Sequence, residues 1–81
     1  MLIYPYSISV NLLREVLNKI GFSFNLTNEI KQANIIIGLT KHLKRNFKLI
    51  NLAKQKNIPI YALNEINLYQ ITRLIQIINR D

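Results

Sequence analysis

The sequence predicts an α/β domain built on a small four-stranded parallel sheet with helices on both faces, a Rossmann-like or flavodoxin-like arrangement of expected strand order 2-1-3-4. Three observations lead there. Short apolar runs alternate with segments of helical periodicity along the whole chain. One of those runs, Ile35-Ile36-Ile37-Gly38-Leu39, is apolar on both faces, as a strand covered on both sides of a parallel sheet is. Strands separated by helices close through right-handed crossovers, which distributes the helices over the two faces. The chain has 81 residues, 49% of them hydrophobic, so residues 1–81 read as one domain near the lower size limit for independent folding.

Leu2 to Tyr6 reads as the first strand, with Pro5 limiting its hydrogen bonding near the end. Ser9 is a natural helix cap, Val10, Leu13, Leu17 and Ile20 recur on one helical face, and Gly21 is placed to end the helix. Phe22, Phe24 and Leu26 alternate with polar residues, the pattern of an edge strand with one wet face. Asn28 to Ala33 is too short for more than a turn or two of helix, and Asn34 leads into the buried third strand. From about Leu43 to Gln55, Leu43, Phe47, Ile50 and Ala53 recur at helical spacing, with Leu49 and Leu52 widening the stripe. Ile58 to Leu63 is the fourth strand, with Pro59 tolerated near its start. Asn67 and Gln70 form a cap pair before a last helix that carries Leu68, Ile71, Ile75 and Ile78 on one face.

Composition narrows the chemistry. With no cysteine there is no disulfide and no thiolate metal site, and an intracellular, soluble protein is expected; no apolar run approaches the roughly 20 residues of a membrane span. Two glycines cannot write a phosphate loop or a dinucleotide fingerprint. The four acids are scattered, and His42, the sole imidazole, reads as a solvated residue in a basic loop, so neither acid–base catalysis nor a metal or other cofactor is expected.

The net charge of +7 is concentrated in the middle of the chain: no acid occurs between Ile30 and Asn64, where seven of the eleven cations lie. Lys41, Lys44, Arg45 and Lys48 crowd into one stretch, TKHLKRNFK, without the carboxylate partners that an exposed helix usually intersperses. A solvated helix face accounts for the same polar stripe. The missing partners favour an anion-binding surface. A second expectation comes from topology: strand order 2-1-3-4 puts a switch point between strands 1 and 3, and Ser7, Ser9, Thr40, Lys41 and Asn67 would line a small-anion pocket there. The tyrosines are candidate stacking platforms for bases: Tyr4 and Tyr61 read as core instead, whereas Tyr6 and Tyr69 are open to either role.

The segment Lys56-Asn57-Ile58-Pro59-Ile60-Tyr61-Ala62-Leu63-Asn64-Glu65-Ile66-Asn67-Leu68-Tyr69-Gln70-Ile71-Thr72-Arg73 resembles a region of a plastid and cyanobacterial AAA ATPase family related to the stage III sporulation protein AA ATPase, and Ile3-Tyr4-Pro5-Tyr6-Ser7-Ile8-Ser9 matches that region in character. The matching region lies between the ATPase core and a module for single-stranded nucleic acid whose signature has an arginine four residues before a histidine. Here the residue four before His42 is Gly38. The resemblance therefore implies a non-enzymatic accessory module of a plastid-type ATPase system, in the plastid stroma, or in the cytoplasm of a bacterium. Lys41, Lys44, Arg45 and Lys48 would contact the phosphates of single-stranded RNA or DNA. The alternative is a docking domain that joins an ATPase core or a second copy through Leu74 and Ile77, beside the main stripe of the last helix, without nucleic acid and without a membrane.

Overall fold

The computed structural model describes residues 1–21 and 23–80; Phe22, expected to open the second strand, and Asp81 lie outside the described residues. Strands β1 (Leu2–Tyr6), β2 (Asn25–Leu26), β3 (Ile35–Leu39) and β4 (Ile60–Leu63) form one sheet in the order β2-β1-β3-β4, and every neighbouring pair is parallel. This is the expected order. Helix α1 (Val10–Ile20) follows β1, a short 3₁₀ turn (Ile30–Gln32) precedes β3, α2 (Thr40–Leu43) and α3 (Phe47–Lys56) lie between β3 and β4, and α4 (Leu68–Arg80) closes the chain.

The alternation of side chains along β3 explains its run of isoleucines. Ile35 and Ile37 point into a core shared with Ile3, α1 and α4, where Leu13, Ile71 and Ile75 are fully buried. Ile36 points the other way, into a second core with Leu43, Leu49, Ala53 and Ile58. A strand sandwiched between two helical layers needs apolar residues at every position, and each buried isoleucine contributes roughly 1.5–3 kcal/mol of transfer free energy.

Helix ends follow local chemistry. The Ser9 hydroxyl oxygen accepts from the Leu12 N–H at 3.2 Å, and Gly21 closes α1 in the left-handed region at φ 78°, its N–H donating to Leu17 O. Val10, assigned by periodicity to the buried face, is 38% exposed, and Val16 is buried in its stead. Asn67 accepts from the Gln70 N–H at 2.8 Å at the head of α4. The fourth strand starts later than expected, because Asn57 turns left-handed at φ 56° and the Ile58 N–H returns to Ala53 O at 2.8 Å, which makes Ile58 part of the helix stop.

The largest departure lies at 40–48. Instead of one helix from Leu43, the chain forms the single turn α2, breaks over Lys44 to Asn46, and starts again. Asn46 causes the restart: its side-chain oxygen accepts from the Leu49 N–H at 3.0 Å while its amide nitrogen donates to the Tyr6 hydroxyl at 2.9 Å. Leu43 then folds down onto Gly38, whereas Phe47, expected on the apolar stripe, stands 72% exposed at the first position of α3. Among the described residues, no helix is long and apolar enough to cross a membrane.

Candidate functional site

At the carboxyl edge of the sheet the neighbours β1 and β3 send their helices to opposite faces, α1 to one and α2 to the other, which opens a crevice between the two departing segments. The strands stay in register to the last pair, Tyr6 opposite Gly38. Glycine is required there, since a Cβ would lie 2.8 Å from Tyr6 O. Immediately beyond, Ser7 adopts φ 55°, an uncommon left-handed conformation for a residue with a side chain, and turns the chain into α1. Ser7 and Ser9 are both exposed. Ser9 accepts as a cap, so its own hydroxyl proton remains available to a ligand. The N–H groups of Val10 and Asn11, in the first turn of α1, have no intrahelical acceptor and form the positive end of the helix dipole.

Of the other three residues of the expected pocket, Thr40 and Asn67 have structural work. Thr40 donates its hydroxyl proton to Leu63 O at 3.0 Å and so ties the end of β3 to the end of β4. Asn67 caps α4 with its oxygen and donates from its amide nitrogen to Glu65 at 3.4 Å. Lys41, in the first turn of α2, is exposed beside the crevice.

The break at 44–46 divides the basic stretch. Lys41 and His42 belong to α2, Lys44 and Arg45 to the connection, and Lys48 to the first turn of α3; all five are exposed, with Phe47 among them. They do not line up as one helical stripe. Among the described residues the only ion pair joins Lys19 to Glu15 at 3.7 Å, so these cations have no acid partner. Lys48 sits in the first turn of α3, which has no acid there, and a cation at that end of a helix opposes the dipole by about 0.3–1 kcal/mol. A local rule is thus broken at this edge, in the direction that a bound anion would relieve. The sequence signal for the break was Asn46, three residues before Leu49 and suited to capping. No group of three metal-ligating side chains occurs among the described residues.

Comparison with known proteins changes the functional reading. A family model described as phosphotyrosine protein phosphatase matches residues 1–78, which includes every strand and nearly all of α4. An uncharacterized protein ycf45 of Porphyra purpurea is 33% identical over 74 residues, covering 91% of this chain but only 13% of the relative, so the chain spans a small part of that longer protein. No solved structure matches. The phosphatase match overturns the expected kinship with the sporulation-related ATPase family, and with it the assignments to single-stranded nucleic acid and to a non-enzymatic role. Two physical ambiguities account for the error. A short apolar strand opening on "IPIY" and followed by a polar turn and an amphipathic helix is a pattern that parallel α/β folds share, and unpaired lysines answer the charge of a phosphate monoester as well as that of a nucleic-acid backbone. The match extends from the first strand through the last helix; the chain belongs to the phosphotyrosine protein phosphatase family.

Proposed function

We propose that the chain recognises the phosphoryl group of phosphate monoesters, phosphotyrosine among them, in the crevice between the β1–α1 turn and the start of α2. The observation that carries this reading is the Ser7-Ile8-Ser9 turn, which leads directly into the unpaired N–H groups of Val10 and Asn11. A phosphoryl oxygen seated there accepts from those N–H groups and from the Ser7 and Ser9 hydroxyls, and Lys41 supplies the opposing charge. The family match supports a phosphate ester over other anions.

The chain contains no cysteine, so no thiolate is available to attack phosphorus. Within this chain an oxygen takes that role: a water forms the new P–O bond as the ester P–O bond breaks, the electron pair leaves with the alcohol or phenol oxygen, and the proton lost by the water passes to that oxygen, giving inorganic phosphate and the free alcohol or phenol. His42 is the sole imidazole in the chain and lies on the turn after Lys41. The relative's plastid origin supports a plastid location for this chain.

The test is a titration of isotope-labelled protein with O-phosphotyrosine, followed through backbone amide shifts and paralleled by phosphate release from p-nitrophenyl phosphate. The expected shifts centre on Ser7 to Leu12, and Lys41→Glu should weaken binding about tenfold, the worth of one charge-assisted hydrogen bond. Shifts confined to Lys44–Lys48, or none at millimolar ligand, would remove the basis for this site.

A further inference from the structure

The two edges of the sheet are unequal. The β2 edge is only two residues long, Asn25–Leu26, and shortness is one of the usual protections of a sheet edge. The other edge, β4, runs Ile60-Tyr61-Ala62-Leu63 without a charged residue, proline or bulge. The Ile36 N–H donates to Pro59 O at 2.9 Å, and in a parallel ladder the same residue's carbonyl accepts from Tyr61. Tyr61 is therefore turned toward β3, and the N–H and C=O groups of Ile60 and Ala62 face outward. Ala62 is exposed.

A groove runs along each face of that edge. On the α3 side it is floored by Ala53, Ile58 and Ile60 and bordered by Lys54. On the α4 side it is floored by Leu63, Leu74 and Ile77 and bordered by Arg73. Successive side chains of an added strand point alternately to the two faces, so an apolar floor on both sides fits a strand with apolar residues at consecutive positions. Each groove carries one cation and no acid.

We propose that the open edge of β4 is a docking site for an extended, acid-flanked apolar segment of a partner protein, which adds to the sheet as a fifth strand. The cations on both faces select carboxylates at the ends of the incoming strand. The net charge of +7 works against a second copy of this chain in the same place. The site shares no residue with the crevice of Ser7, Ser9 and Lys41, so each stands or falls separately.

The probe is a fluorescent octapeptide of four alternating valines and isoleucines with two aspartates at each end, followed by anisotropy and by amide hydrogen exchange. Binding should slow exchange at Ile60 and Ala62, and a peptide with lysines in place of the aspartates should bind at least about tenfold more weakly, as should the acidic peptide to Arg73→Glu. Ala62→Pro removes one outward N–H without touching the β3 ladder and should abolish binding. Should that variant fail to fold, the wild-type chain gives the same information with peptides N-methylated at alternate amides: one phase should bind and the other should not. Equal binding of both phases, equal binding of acidic and basic peptides, or protection outside β4 overturns the proposal. So does protection of Ile60 and Ala62 without peptide that tracks a concentration-dependent dimer in sedimentation, which would make a second copy the occupant.

Discussion

Gly38→Ala is the substitution whose effect can be worked most directly from the structure. The new Cβ would lie 2.8 Å from the Tyr6 carbonyl oxygen and 3.1 and 3.2 Å from Cγ and Cδ1 of Leu43, against 3.4–4 Å for ordinary contact. Leu43 can give by a small rotation. The Tyr6 oxygen cannot, because it belongs to the backbone at the last registered pair of β1 and β3. Overpacking of this kind costs about 1–3 kcal/mol, offset by about 0.4–1 kcal/mol because alanine restricts the unfolded chain. Because the Tyr6 oxygen is backbone and cannot yield, the upper part of the resulting range of about 0–2.6 kcal/mol applies, a net loss of about 1–2 kcal/mol on a domain whose total stability, at roughly 0.05–0.15 kcal/mol per residue, is small. With a urea slope near 1 kcal/mol/M for so short a chain, the midpoint should drop by about 1–2 M in denaturation followed by circular dichroism. Gly21→Ala is the control, since nothing lies within 4 Å of its Cβ and only its φ of 78° resists a side chain. There Gly21→Asn should recover part of the loss, because asparagine tolerates the left-handed region. An unchanged or raised midpoint for Gly38→Ala would refute the close-approach reasoning.

Three further outcomes are expected. Phe47→Asp should change stability by less than about 0.5 kcal/mol in the same urea assay, because the ring is 72% exposed; a loss above about 3 kcal/mol would return Phe47 to the core stripe that periodicity gave it. Asn46→Ala removes both the α3 cap and the bond to Tyr6 and should cost about 1–2 kcal/mol, whereas Tyr6→Phe removes only the latter and should cost about 0.5–1.5 kcal/mol, with the excess in a double-mutant cycle measuring their shared bond. Ile75→Ala, at a fully buried position, should cost about 2–5 kcal/mol, while Ile75→Val should cost about 0.5–1.5 kcal/mol, both read from thermal unfolding.

The sequence by itself determined the architecture of this protein. Ile35-Ile36-Ile37, bounded by turn residues, suits a strand covered on both faces, and Ser9, Gly21 and Asn67 carry helix ends in their own side chains or backbone freedom, so the bounds of α1 and the start of α4 follow from local rules, while the expected strand order follows from the crossover rule for parallel strands. Ser7, Ser9 and Lys41 were legible as edge residues for the same reason, because topology alone brings the ends of β1 and β3 together. What only the tertiary structure decided depends on contacts distant in sequence. Periodicity cannot see that Asn46 meets Tyr6 across 40 residues, and so it runs one helix through a break and buries a phenylalanine that lies outside. Nor can it see that the Thr40 hydroxyl is committed to Leu63 O, 23 residues on, which leaves Thr40 a strand tie at the very edge where a ligand group was expected. Hydrogen-bond capacity is a property of the residue, but whether that capacity is already used is decided by the residue that the fold places opposite it.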